Sequence, residues 1–149
     1  MDTPALFTLG ATALALVLIP GMQSSQAFTA EPAAPNLAQQ IQAGDALFQR
    51  HCALCHQANG QGLPMAFPPL AGSDYLLADK DRNITVVLHG LSGKVTVNGK
   101  DFNSSMPALS QLHDTEIANI LTFAAKAWGN AGEAVSASDV ARMRAAKRP

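Results

Sequence analysis

Two cysteines, the only ones in 149 residues, stand three apart and run straight into a histidine: Cys52-Ala53-Leu54-Cys55-His56. In an oxidising compartment two cysteines ordinarily close a disulfide, and a Cys-x-x-Cys pair also serves as a thiol-disulfide redox centre. Neither chemistry uses His56. A zinc site needs four protein ligands, or three and a water, and would have to draw His51 and His56 from the same short turn, which sterics oppose. Covalent haem attachment uses all three residues. The two thiols are spaced to add across the two vinyl groups of the macrocycle, and the adjoining imidazole reaches the iron.

The elements that must position this group follow from length and pattern. A chain of 149 residues with 48% apolar residues builds one domain with a real core. Charged residues make up 14% and the formal net charge is -1, so no basic field exists to attract nucleic acid. Residues 1–27 read as a signal peptide: Ala5 to Ile19 is an unbroken apolar run, Pro20 and Gly21 end it, and Ser25 and Ala27 supply small residues for cleavage after Ala27. Export to the periplasm is expected. The segment before the run holds Asp2 and no Lys or Arg, unlike a usual signal; an uncleaved N-terminal anchor is the alternative, but the run falls short of the ~20 residues that span a bilayer. No stable membrane span is therefore expected after cleavage. Residues 28–36 form a Pro/Ala-rich linker.

From residue 37 the pattern turns helical. Leu37, Ile41, Gly44 and Phe48 fall on one helix face, and Ile117, Ile120, Leu121, Ala124 and Trp128 repeat the device after the motif, with Asp114 as N-cap and Gly129 as C-cap. Between them, residues 81–90 form a short helix with Ile84, Val87 and Leu88 inward and His89 before Gly90. Asn98-Gly99 then makes a two-residue hairpin turn.

Over residues 37–130 the chain resembles the class I c-type cytochromes. The resemblance implies an all-α fold of three to five helices around one covalently attached haem c, with a small β-hairpin before an axial methionine loop. It implies that the first and last helices cross closely, with Gly44 and Phe48 at the crossing. It also implies that a proline carbonyl about a dozen residues after the motif, here Pro68 of Phe67-Pro68-Pro69-Leu70, holds the other ring nitrogen of His56. For the sixth ligand the choice lies between Met65 and Met106. Met65 comes only nine residues after His56, whereas Met106, followed by Pro107, has 50 residues in which to reach the opposite face and sits in a loop like the family's axial loop. Met106 is the expected ligand. His51 is expected to point away from the iron, and His89 and His113 to be surface or capping residues.

The resemblance implies single-electron transfer and no catalysis, because iron held by His56 and Met106 has no vacant position; a peroxidase or a gas sensor would need one. Residues 87–112, followed by 117–130, are similar to haem c domains associated with copper-containing nitrite reductases and to cytochrome subunits of quinoprotein alcohol dehydrogenases. A denitrifying role as donor to a nitrite reductase is the expectation; acceptance of electrons from a quinoprotein dehydrogenase, or donation to a terminal oxidase, is the alternative. An apolar patch from Ala53, Leu63 or Met65 near the exposed haem edge would dock the partner weakly. Residues 131–149 form a basic tail with room for a short helix from Ser138, expected to be solvated, with docking to a partner enzyme as its alternative role.

Overall fold

The computed structural model describes Met1 and residues 36–146. The predicted signal peptide and the linker up to residue 35 lie outside the described residues, as do Lys147 and Arg148.

Helix α1, Leu37–His51, opens on a reciprocal cap in which the Gln39 N–H donates to Asn36 Oδ1 (3.0 Å) and the Asn36 N–H to Gln39 Oε1 (3.1 Å). It leads directly into the single turn α2, Ala53–His56. A loop then runs to α3, Asp74–Ala78, and α4, Lys80–His89, each capped by the side chain that precedes it, Ser73 and Asp79. The hairpin forms where it was read: β2, Val95–Val97, pairs antiparallel with β3, Lys100–Phe102, around Asn98 and Gly99, both with positive φ. A second ladder, not anticipated, joins β1, Leu91–Ser92, to β4, Ser105–Met106, with Leu91 opposite Met106. Helix α5, Asp114–Lys126, follows, then a 3-10 turn over Ala127–Gly129 and helix α6, Ala137–Ala145. The fold is helix-dominated with a small hairpin, as expected of the resemblance.

The core gathers on α5, whose residues 117–125 are all buried. Phe48, Ile84 and Ile117 are fully enclosed, and Phe48, Phe123 and Trp128 form a three-ring cluster with centroids 5.2–5.3 Å apart in tilted and edge-on pairs. At Gly44 the backbones of α1 and α5 meet. A Cβ there would lie 2.1 Å from the Asn119 carbonyl oxygen and 2.7 Å from Phe123 Cβ, so only glycine permits this crossing.

Three details differ from the sequence reading. The N-cap of α5 is His113, whose N–H donates to Glu116 Oε2 (2.8 Å), while Asp114 is the first helical residue and turns its carboxylate to Arg144. The C-terminal turn uses Trp128 as well as Gly129 in the left-handed region; the indole's packing and its N–H bond to the Ala58 carbonyl (3.2 Å) offset the strain. The tail is not simply solvated. Ser136 caps α6, Val140 is fully buried against the core, and Arg142 and Arg144 are committed to Asp81 and Asp114 rather than free for a partner.

Candidate functional site

The turn of α2 is built by bonds from the Cys55 and His56 N–H groups to the Cys52 carbonyl, 3.1 and 2.9 Å. Residues three and four apart in such a turn share a face, so both thiols and the imidazole lie on one side. Both cysteines are free and half-buried. Burial, and secondarily the neighbouring Cys55, pushes the Cys52 thiol up to about 11. A thiol kept protonated is a poor nucleophile for disulfide exchange. Among the described residues, no three His, Cys, Asp or Glu side chains converge as a metal site would need.

His56 is oriented by its backside. Its Nδ1 lies 3.0 Å from the Pro68 carbonyl oxygen, which can only accept; Nδ1 therefore carries the proton and Nε2 keeps its lone pair. Burial lowers the pKa of the ring against the smaller, opposing effect of that bond, which favours the neutral form a metal ligand needs. The Pro68 carbonyl is itself fixed by a tight loop. The Gly62 N–H donates to the His56 carbonyl (2.9 Å), Leu63 and Phe67 exchange backbone bonds (2.9 and 2.8 Å), and Gly62 at φ 64° packs so close that a Cβ would meet the Phe67 and Pro68 oxygens at 2.4 and 2.6 Å. Leu70 and Ala71 both donate to the Gly60 carbonyl, 2.7 and 2.9 Å, closing the other end.

Two clefts open beside this turn. Cys52, His56, Pro68, Leu91, Val95 and Met106 line both, so the clefts are lobes of one slot. The inner lobe adds Phe48, Leu70, Val87, Ile120 and Leu121, and the outer lobe adds Cys55, Phe67, Pro107 and Leu109. The structure thus brings together Cys52, Cys55, His56, Pro68 and Met106. Met106 is placed by its pairing with Leu91, and Met65, 91% exposed, lines neither lobe. His51, expected to point away from the iron, lines the outer lobe and not the inner one, at the end of α1. Lys94 is tied to Asp101 at 2.8 Å rather than free.

The slot suits a flat apolar ring. No Asp, Glu, Lys or Arg lines either lobe. Tyr75 and Asn83 line the inner one, and behind Tyr75 the Arg82 guanidinium sits 3.7 Å from the ring centroid with its Nε buried and without a hydrogen-bond partner. Arg82 itself lines neither lobe, so the fit to haem rests on the apolar lining and on His56 and Met106 within it. Sequence reasoning missed Tyr75, Arg82 and Asn83. It also missed Asn130, which ties the site's loop to α5 through bonds from Nδ2 to the Leu70 and Ala124 carbonyls (2.9 and 2.8 Å) and from the Gly72 N–H to its Oδ1 (2.8 Å). Only the lone Tyr before an Arg-Asn pair, and an Asn after Trp-Gly, marked these positions.

Comparison with known proteins agrees with this geometry. The family model described as cytochrome c matches residues 41–128. Over 115 residues the chain is 43% identical to cytochrome c-552 of Thermus thermophilus, a match covering 71% of this chain and 88% of that protein. It is 33% identical over 109 residues to the cytochrome c subunit of the quinone alcohol dehydrogenase of Gluconobacter oxydans, covering 72% of this chain and 23% of that subunit. It is also 33% identical over 109 residues to the gluconate 2-dehydrogenase cytochrome c subunit of Pantoea cypripedii, of which it spans 24%.

Proposed function

Since this chain belongs to the cytochrome c family, whose members carry covalently attached haem c and move electrons without catalysing a reaction, we propose that it is an exported one-electron carrier with iron held between His56 and Met106 and haem linked to Cys52 and Cys55. The observation that carries this reading is that His56, its Nδ1 already engaged by Pro68, and Met106 both line both lobes of one slot. When bound, the haem supplies a ferrous/ferric couple. The chain's own residues orient the ligands, exclude water through the apolar lining, and favour the ferrous state through the soft thioether of Met106.

Residues 51–73 and 102–113, which carry His56 and Met106, contain no Asp, Glu, Lys or Arg, and on the first of them Leu54, Leu63 and Met65 stand out at 90%, 48% and 91% exposure, with Lys100 and Asp101 lining the same cleft as Met65. Such a face docks by small apolar contact and releases quickly. Two relatives are named as cytochrome subunits of dehydrogenases, which supports electron acceptance from a quinone-type dehydrogenase over donation to a nitrite reductase, a reading supported only by the resemblance of residues 87–112 and 117–130. The apolar run before Pro20 supports the periplasm as the place of action, and no helix among the described residues is long and apolar enough to cross a membrane.

Stopped-flow mixing tests the reading. The ferric protein should be reduced rapidly by a quinoprotein alcohol dehydrogenase given its alcohol, at a rate nearly independent of ionic strength, and the ferrous protein should refuse carbon monoxide. Ready carbon monoxide binding would defeat the filled sixth position. Nitrite-dependent reoxidation by a copper nitrite reductase, without reduction by the dehydrogenase, would reverse the choice of partner.

A further inference from the structure

Helix α6 lies beyond the family match, which ends at residue 128, yet one of its side chains reaches the segment that follows Met106. Arg144 Nε donates to Asp114 Oδ1 at 2.8 Å, and its two terminal nitrogens donate to the Ser110 and Leu112 carbonyls at 2.8 and 2.7 Å. One planar guanidinium therefore spans positions 110, 112 and 114. The stretch is also held by backbone bonds, from the Leu109 N–H to the Val87 carbonyl (2.8 Å) and from the Leu112 N–H to the Leu109 carbonyl (3.1 Å), by the two-residue β1–β4 ladder, and by packing of Leu112 in the core with Leu109 against it. Pro107 cannot donate a bond, and Pro107, Ala108, Ser110 and Gln111 are exposed. The start of the axial loop is seated on β1 and Gly90, and its end is clamped by a charged fork, whose paired donors are the strong kind of hydrogen bond.

We propose that Arg144 is a positioning residue for Met106: by clamping residues 110–114 it limits the loop opening that lets the thioether leave the iron. The other α6 arginine provides the internal comparison. Arg142 binds Asp81 on α4 through both terminal oxygens, 2.9 and 3.1 Å, so it anchors the same helix without touching the methionine segment. Helix α6 is further held by the buried Val140 and by the Lys80–Asp139 pair at 3.2 Å, so the loss of either arginine leaves it docked.

The proposal rests on Met106 as sixth ligand and is tested by ligand exchange on the ferric holoprotein, using imidazole as the probe. The iron–sulfur bond breaks, an iron–nitrogen bond forms, and no electron moves. Arg144→Ala should take up imidazole about tenfold faster than the parent, the equivalent of one lost charge-assisted hydrogen bond. Arg142→Ala should stay within about twofold of the parent, since its bonds end on α4. Arg144→Lys should recover only part of the loss, because a point charge does not span two carbonyls. An unchanged rate in Arg144→Ala, or equal acceleration in Arg142→Ala, would overturn the proposal. Failure of the ligand assignment itself is read separately: Met106→Ala would then leave the reduction potential and the parent imidazole rate unaltered.

Discussion

Replacing Gly44 with alanine sets two effects of opposite sign against each other. In a helix interior alanine is favoured over glycine by about 1 kcal/mol, so propensity alone predicts a more stable protein. The crossing predicts the reverse. With a Cβ 2.1 Å from the Asn119 oxygen and 2.7 Å from both Asn119 C and Phe123 Cβ, the partner atoms are backbone and a helix-anchored Cβ, and none can swing aside. The two helices must part by about an ångström, a gap that forfeits a quarter to a half of the dispersion well at each contact along the seam. The cost belongs at the top of the overpacking range, about 3 kcal/mol, and the net loss after the propensity gain is about 2 kcal/mol. For a domain of this size that lowers Tm by roughly 7–13 °C. Guanidinium unfolding of the holoprotein followed by far-UV circular dichroism measures it. Ala43→Gly, on the exposed side of the same helix, isolates propensity and should cost about 1 kcal/mol. Were Gly44→Ala neutral or stabilising, the close approach of α1 and α5 would be wrong, and with it the placement of Phe48 in the wall of the slot.

Two further perturbations probe the site and its frame. Gly62→Ala pushes a methyl group into the Phe67 and Pro68 carbonyls and so weakens the bond to His56 Nδ1; the imidazole becomes a poorer donor to ferric iron, and the reduction potential should rise by tens of millivolts in a redox titration. A potential that falls or holds steady would show that Pro68 does not tune the ligand. The Asp139 carboxyl is held down to about 2, chiefly by the Ser136 N–H and hydroxyl and then by Lys80. Its folded pKa lies below the unfolded value of about 4, so its contribution is complete above that value and is lost as pH falls through 2. Tm should therefore drop between pH 4 and 2, and Asp139→Asn should lower Tm at neutral pH while flattening that drop; an equal drop in the variant would assign it to other groups.

The parts legible in the sequence were those encoded by neighbours. The thiol and imidazole spacing, the Asn98-Gly99 turn, the inward Ile84, Val87 and Leu88, and the Gly44–Phe48 stripe each depend on residues within one turn or one helix face. Proline at 68 was within reach only through the family resemblance, and the structure returns its carbonyl to His56 across twelve residues. Other features depended on partners far along the chain. Nothing near Asn130 announces that its amide will bridge Leu70, Gly72 and Ala124, and nothing near Arg144 names Ser110 and Leu112. The tail looked solvated because its composition is polar, but one fully buried Val140 and two committed arginines outweigh composition. Trp128 carried a different difficulty. Its left-handed backbone is disfavoured locally, and only its tertiary contacts offset the strain.

These placements share a logic that bears on electron transfer. A carrier gains and loses one charge per cycle, and any carboxylate or ammonium group against the cofactor would have to reorient or titrate in step. In this chain the lining of both lobes is free of Asp, Glu, Lys and Arg. The ion pairs lie elsewhere: Lys80–Asp139, Arg142–Asp81 and Arg144–Asp114 fasten α6, and Lys94–Asp101 closes the hairpin. What touches the slot is held instead by backbone bonds whose groups do not titrate, from Pro68 behind His56 to Gly60 beneath Leu70. The surface that faces the cofactor thus carries no charge of its own, while the ion pairs fasten the hairpin and α6 around it, where a change of one charge on the iron need move none of them.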